Sequence, residues 1–476
     1  MDANLWSLIA AAARAAGDTP AFVENGDVRL RYDELDDAVA GWARALAARG
    51  ARPGDRIVVQ AEKSVDNALL YLASLRAGLI YVPLNTAYTA AELDYFIEDA
   101  EPVLVIAPGH LDLADIEPEP GPFETVARDP DDLAAILYTS GTTGRSKGAM
   151  LSHGTLSSNA LVLKDYWRWR PGDVLIHALP IYHVHGLFVA LHGALLNGST
   201  MLWHKGFGAD AVIDDLPRAT MLMGVPTFYV RLAAHERLTR EAVTNMRLFI
   251  SGSAPLLEAT FADFEAKTGH RILERYGMTE AGMICSNPHD GDRIPGTVGF
   301  PLPGVSARVC DEAGREAPRG APGVLEINGP NLFKGYWRNP EKTAEEMRGD
   351  GFFITGDIAT MAADSRVAIV GRAKDLIIAG GLNIYPREIE LAIDAVPGVG
   401  ESAVIGVPHP DLGEAVVAVV TRADPALDEA AVLVGIATLA RFQQPRRILF
   451  ADALPRNAMG KVQKAALREA HGGLFA

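Results

Sequence analysis

Only two cysteines, Cys285 and Cys310, occur in the 476 residues, too few for a disulfide framework and without the spacing of a metal site. A reducing, cytoplasmic setting is therefore expected. No uninterrupted apolar run approaches the ~20 residues that span a bilayer, so no membrane partner is expected. The first twenty residues, MDANLWSLIAAAARAAGDTP, lack the basic start of a secretion signal and read as an amphipathic helix. Positive charge is scarce: 44 Lys and Arg face 60 Asp and Glu, a net charge of −16. Such a surface repels polyanions and argues against nucleic acid as a partner. Basic side chains that gather locally are correspondingly informative.

What remains is a hydrophobic fraction of 49% with 22% charged residues, enough core material for about three domains or subdomains. The first ~130 residues alternate helical and strand patterns, as in YDELDDAVAGWARALAARG followed by DRIVVQA, and NALLYLASLRAG followed by LIYVPLN. That alternation predicts an α/β fold with a largely parallel sheet. DVLIHALP, TMLMGVPT and MRLFISGSAPL continue it as short apolar strands ending in turns. From GTVGFPLPG the density of Gly, Pro and alternating β residues predicts a β subdomain. A tail from about Asp375 reads as a small α+β module. The expected organisation is a large N-terminal domain over 1–374 and a small C-terminal domain over 375–476.

One loop carries chemistry on its face. YTSGTTGRSKG, Tyr138 to Gly148, follows the strand AAILYT, and Ser152 just beyond it is placed to cap a helix. Its order Gly141-Thr142-Thr143-Gly144-Arg-Ser-Lys147 fails the Walker A template, which requires Lys directly after the last Gly. The ingredients are still those of an anion cradle: glycines free backbone N–H groups to turn inward, hydroxyls donate, and Lys147 adds charge.

Four more motifs follow in order: ERYGMTE (274–280), TGD (355–357), GRAKDLII with GG and NIYPREIE from Gly371, and PRNAMGK (455–461). Together with the loop they resemble the adenylate-forming acyl-CoA synthetase superfamily over essentially the whole chain. The resemblance implies two steps: a carboxylate attacks the α-phosphorus of ATP and releases pyrophosphate, and the thiol of CoA then displaces AMP. It places Thr139, Ser140, Gly141, Thr142, Thr143, Gly144 and Lys147 around the departing phosphates. Tyr276 stacks on adenine against Ser251, Gly252 and Ser253, with Glu274, Arg275, Gly277 and Met278 in the same nucleotide wall. Thr279 donates to phosphate, Glu280 binds Mg²⁺, Asp357 holds the ribose and Arg372 supports it. The resemblance makes Lys461 the expected catalytic lysine of adenylation, entering and leaving as the C-terminal domain turns about a hinge matched by Asp375. His183, Gly380 and Gly381 belong to the CoA tunnel, His183 also orienting the acyl carbonyl. The resemblance further marks Lys461 for a lysine acetyltransferase and its deacetylase, which would switch its charge off and on.

Within the superfamily, LNTAYTAAELDYF, HALPIYHVHGLF, LMGVPTFY and NPHDGDRIPGTVG resemble the malonyl-CoA synthetase branch. That implies malonate, with methylmalonate undecided, and a cation for the distal carboxylate. Arg247 in MRLFISG and Arg293 in DGDRIPG match that role, since a guanidinium meets a carboxylate with two N–H donors. Met223, Met278 and Met283 would shape the acyl pocket. The pair His183 and His185 has no third ligand at recognisable spacing, so zinc is not expected. RFQQPRR at 441–447 departs from the family's Tyr-Lys-x-Pro pattern: Gln443 and Gln444 leave no Lys there. With no carrier domain after Lys461, free CoA is the expected acceptor. A short-chain monocarboxylate acyl-CoA synthetase and a stand-alone adenylation enzyme loading a carrier protein share the ATP motifs and stand as alternatives.

Overall fold

A computed structural model describes residues 2–139, 146–311, 313–380, 382–456 and 461–475. Ser140, Gly141, Thr142, Thr143 and Gly144 of the phosphate loop, and Gly381 of the CoA tunnel, lie outside the described residues.

The predicted α/β architecture is present. A nine-stranded sheet runs in the spatial order 300–301, 282–286, 273–278, 248–251, 221–224, 174–177, 200–203, 20–24, 27–31. Its six central strands are parallel and its margins antiparallel. A second sheet orders 104–106, 56–59, 80–83, 133–139 and 147–152; it is parallel except for its last pair. Strands such as Arg56–Val59, Ile80–Pro83 and Leu248–Ser251 are nearly all buried. They therefore read as continuous apolar runs, because helices cover both faces of a parallel sheet. Helix Leu5–Ala16 illustrates the amphipathic rule: Leu5, Trp6, Ile9, Ala10 and Ala13 face inward, and Asn4 caps the end. Ser152 does cap helix His153–Tyr166, accepting from the Thr155 N–H at 3.1 Å.

The β-rich segment folds as a four-stranded antiparallel sheet in the order 306–310, 323–328, 353–361, 367–372. From Ile377 onward the chain forms a further sheet around strands Val399–His409 and Gly413–Arg422, with apolar clusters built only from its own residues. Asp375 closes a short 3₁₀ turn, Ala373–Asp375, between these two sheets. Its carboxylate accepts from Arg468 on the last helix at 2.9 Å. Gln443 and Gln444 are engaged within the same domain, donating to Glu388 and to the Leu439 carbonyl. Among the described residues no helix is long and apolar enough to cross a membrane.

The hairpin carrying ERYGMTE is fastened from outside. Asn159 accepts from the Met283 N–H at 3.0 Å and donates to the Met283 carbonyl at 2.8 Å, while Asn331 donates to the carbonyl of Ala281 at 2.7 Å. Replacing Asn159 with Ala leaves the Met283 amide without its partner, which costs about 1–3 kcal/mol. Asn159→Ala should lower unfolding stability in urea by that amount.

Candidate active site

Strands 80–83, 133–139, 248–251 and 273–278 reach one cleft at or just beyond their carboxyl ends, the usual ligand position of an open α/β sheet. The cleft is a cavity of about 470 Å³. It gathers Thr139, Lys147, His183, Ser253, Arg275, Gly277, Met278, Thr279, Glu280, Arg372 and Lys461, residues spread over more than 320 positions of the chain. Three of the sheets contribute walls, and Lys461 comes from the C-terminal domain.

Asp357 joins two of those sheets. It is 2% exposed, and its carboxylate accepts from the Tyr276 hydroxyl and from Arg372 Nε at 2.7 Å. The Asp357 N–H donates to Thr355 Oγ1, so the TGD turn is held at its backbone as well. Glu280 lies buried on the opposite wall with the Tyr336 hydroxyl 3.0 Å from its Oε1. Burial pushes its carboxyl above the ordinary carboxylate range.

The HALPIYHVHG segment is pinned at both ends. His177 Nε2 donates to the Gly186 carbonyl at 3.0 Å, and the buried Lys63 donates to the His177 carbonyl at 2.7 Å with its Nζ 2.9 Å from Nδ1. His183 and His185 thereby face the cavity, at the entrance to a wide π-helical turn over His185–Leu191. His185 Nδ1 meets Ser253 Oγ at 3.3 Å. His183 Nδ1 has no hydrogen-bond partner, and burial pushes its imidazole down to about 3, so it is neutral at physiological pH. Among the described residues no group of three His, Cys, Asp or Glu could hold a metal.

Lys461 shares the cleft with Arg372 and Arg275. Burial, then the Arg372 charge, push its ammonium down to about 8. Arg275 is 3% exposed, and its Nε and Nη2 have no hydrogen-bond partner. Space for its guanidinium exists because residue 252 is glycine: a Cβ there would lie 2.4 Å from Arg275 Cζ. Burial with no carboxylate opposite penalises this charge.

Arg247 and Arg293, expected at the distal carboxylate, lie outside the lining of this cavity. Arg247 precedes strand Leu248–Ser251, whereas the cavity lies beyond its other end, about 13 Å further along at the usual rise per residue. Its guanidinium is committed to the buried Asp173, with Nε to Oδ1 at 2.7 Å. Arg293 donates to the carbonyls of Pro288, Arg271 and His289, stapling its own loop. Neither is among the residues that line the cavity.

Other residues back the site without lining it. Ser251 is buried at the strand end, and Tyr276 reaches it through Asp357. Glu274 points the opposite way from Arg275, as strand alternation requires, and accepts from the Leu256 N–H at 3.1 Å; burial pushes it up to about 7. Gly380 packs at its own hairpin turn near Leu412, outside the cavity. Met278 and Met283 line the cleft, while Met223 is ordinary core. Sequence reasoning missed Tyr336, Glu346 and Lys63, which sit far from any motif and act only through contacts made in the fold. It also filed Arg275 with the nucleotide wall, although an arginine inside the apolar strand context ILERYGM was itself a signal.

Comparison with known proteins agrees with this geometry. The family model described as AMP-binding enzyme matches residues 9–337, and that of the AMP-binding enzyme C-terminal domain matches 388–461. MatB from Rhodopseudomonas palustris is 53% identical, with each chain fully covered; the TM-score is 0.94 to its ATP-bound structure and 0.84 to its apo structure. A feruloyl-CoA synthase from Amycolatopsis is 36% identical over 94% of this chain and 96% of its own length. A malonate–CoA ligase from Arabidopsis thaliana is 33% identical over 96% of this chain and 86% of its own. The ordered motifs, the shared cleft and the family match over most of the chain make this protein a member of the AMP-binding, adenylate-forming family of acid–CoA ligases.

Proposed function

We propose that the chain converts malonate, and its methyl-substituted homologue, with ATP and CoA to the CoA thioester, AMP and pyrophosphate. Arg275 carries this reading. A buried arginine with no carboxylate opposite it, on the wall of an acyl-CoA ligase cavity, is matched to a substrate with a second carboxylate. A monocarboxylate would leave that charge uncompensated. The likeness to MatB and to a malonate–CoA ligase supports the same choice.

In the first step one malonate oxygen attacks the α-phosphorus and the bond to pyrophosphate breaks. Lys461 stabilises the charge shared by the attacking carboxylate and the α-phosphate, and Thr279 donates to a phosphate oxygen. Lys147 and Thr139 face the leaving group. Glu280, a buried carboxylate beside these donors, fits a hard divalent cation and would hold Mg²⁺, which neutralises phosphate charge when bound. In the second step the CoA sulfur attacks the acyl carbon and AMP departs. Neutral His183 lines the cleft and would orient the acyl carbonyl. Rotation about Asp375 would withdraw Lys461 and bring Gly380 and Gly381 to the pantetheine path.

ATP–pyrophosphate exchange across malonate, methylmalonate, succinate, acetate, butyrate and ferulate tests the substrate. Malonate should lead; a win for acetate, butyrate or ferulate would overturn the reading. Arg275→Gln should lower kcat/KM for malonate by roughly 10²–10³-fold, the cost of removing one partner of a buried charge pair. Gly252→Ala should act in the same direction by about 10²-fold, because the new methyl displaces the guanidinium. CoA against a pantetheinylated protein as acceptor separates this function from carrier loading.

Lys461→Ala should slow adenylation by ~10²–10³-fold while leaving conversion of supplied malonyl-adenylate to thioester near the native rate. Equal loss in both assays would remove the role assigned to it. Because the ammonium is the active form and its pKa is lowered to about 8, kcat/KM for adenylation should fall as pH rises through 8. In Lys461→Arg that alkaline limb should vanish from whatever activity remains.

A further inference from the structure

Lys147 is already engaged. Its Nζ lies 3.2 Å from Glu346 Oε1 and 4.3 Å from the centre of the Tyr336 ring. Glu346 immediately follows helix Pro340–Glu345 and lines the cavity, and its other oxygen accepts from the Tyr336 hydroxyl at 2.6 Å. Lys342 approaches Glu346 Oε1 at 3.2 Å from one turn back. The two ends of the Lys147–Glu346 pair are only 16% and 23% exposed, so solvent screens them incompletely.

Two features make this more than a surface ion pair. Glu346 is an anion on the wall of a cavity whose substrate is a polyanion, and it holds the one described cation of the phosphate loop. The Tyr336 hydroxyl, which has a single proton, also stands 3.0 Å from Glu280, so Glu346 is linked to the residue assigned to the divalent cation. Nothing about catalysis requires a carboxylate at 346. A neutral residue would fill the same space without repelling phosphate.

We propose that Glu346 is a counter-ion latch for Lys147, holding the ammonium while the polyphosphate site is empty and reclaiming it as pyrophosphate leaves. This rests on the assignment of Lys147 to the ATP phosphates. The latch competes with the polyphosphate for one cation, so it weakens binding of ATP and pyrophosphate and hastens product release. The exchange of partners is a positioning function; Glu346 does not touch the reacting atoms.

The sign of the effect is the test. In Glu346→Gln the amide oxygen still accepts from Tyr336, but the charge that opposes phosphate is gone. Calorimetric titration with Mg²⁺–ATP alone and with Mg²⁺–pyrophosphate alone should show about three- to tenfold tighter binding of both than in the native enzyme. Glu346→Asp, which keeps the charge, should bind with near-native affinity and guards against a folding defect. The tightening should disappear when Glu346→Gln is made in a Lys147→Met background. Unchanged or weaker binding in Glu346→Gln overturns the latch, as does the same tightening in the Lys147→Met background, which would reflect a general field and not this pair. If Lys147→Met by itself leaves ATP affinity intact, the assignment of Lys147 to the phosphates fails, and the latch falls with it.

Discussion

The Asp357 carboxylate is the point on which the site depends. Tyr276 belongs to the nine-stranded sheet, Asp357 and Arg372 to the antiparallel sheet, and their hydrogen bonds are the part of the polar seam between the two that lies beside the cavity. Buried charge is tolerable there because both acceptor oxygens are occupied by donors and one donor is an arginine. Thr279, Glu280 and Arg372 line the cavity from the two sheets that this seam joins. Loss of Arg372 would leave an uncompensated charge where the two sheets meet.

Charge in the cleft is arranged against the background of the molecule. A chain of net charge −16 presents Lys147, Arg275, Arg372 and Lys461 around a single cavity and opposes them with Glu280, Glu346 and Asp357. Each cation except Arg275 has an acidic neighbour in the fold. Lys147 faces Glu346, Arg372 faces Asp357, and Lys461 feels Asp357 and Glu280 at longer range. The imbalance at Arg275 is thus a local departure from a pattern that the rest of the site obeys, and the proposed second carboxylate of the substrate would supply the missing charge.

The fold was legible because its strands are buried on both faces and its helices are amphipathic, so periodicity and turn residues carry the architecture. Motif order was equally informative: Thr279, Glu280, Arg372 and Lys461 do meet in one cleft. What sequence could not convey was which end of a strand faces the ligand. Arg247 and Arg293 are near the right strands in number, yet they sit at the amino ends, where Asp173 and loop carbonyls claim them. Arg275 lies three residues into its strand and was absorbed into the neighbouring nucleotide motif. Tyr336 and Glu346 were invisible for a different reason: their partners are 56 and 199 positions away, and only tertiary packing brings them together.

The absent side chain at Gly252 has an evolutionary consequence. Arginine at 275 and glycine at 252 form a matched pair, one filling the volume that the other vacates. A bulkier residue at 252 would displace the guanidinium, and a smaller one at 275 would leave its volume unfilled. Acceptance of new acids by this scaffold should therefore come by paired replacement, and the two positions should change together among its descendants.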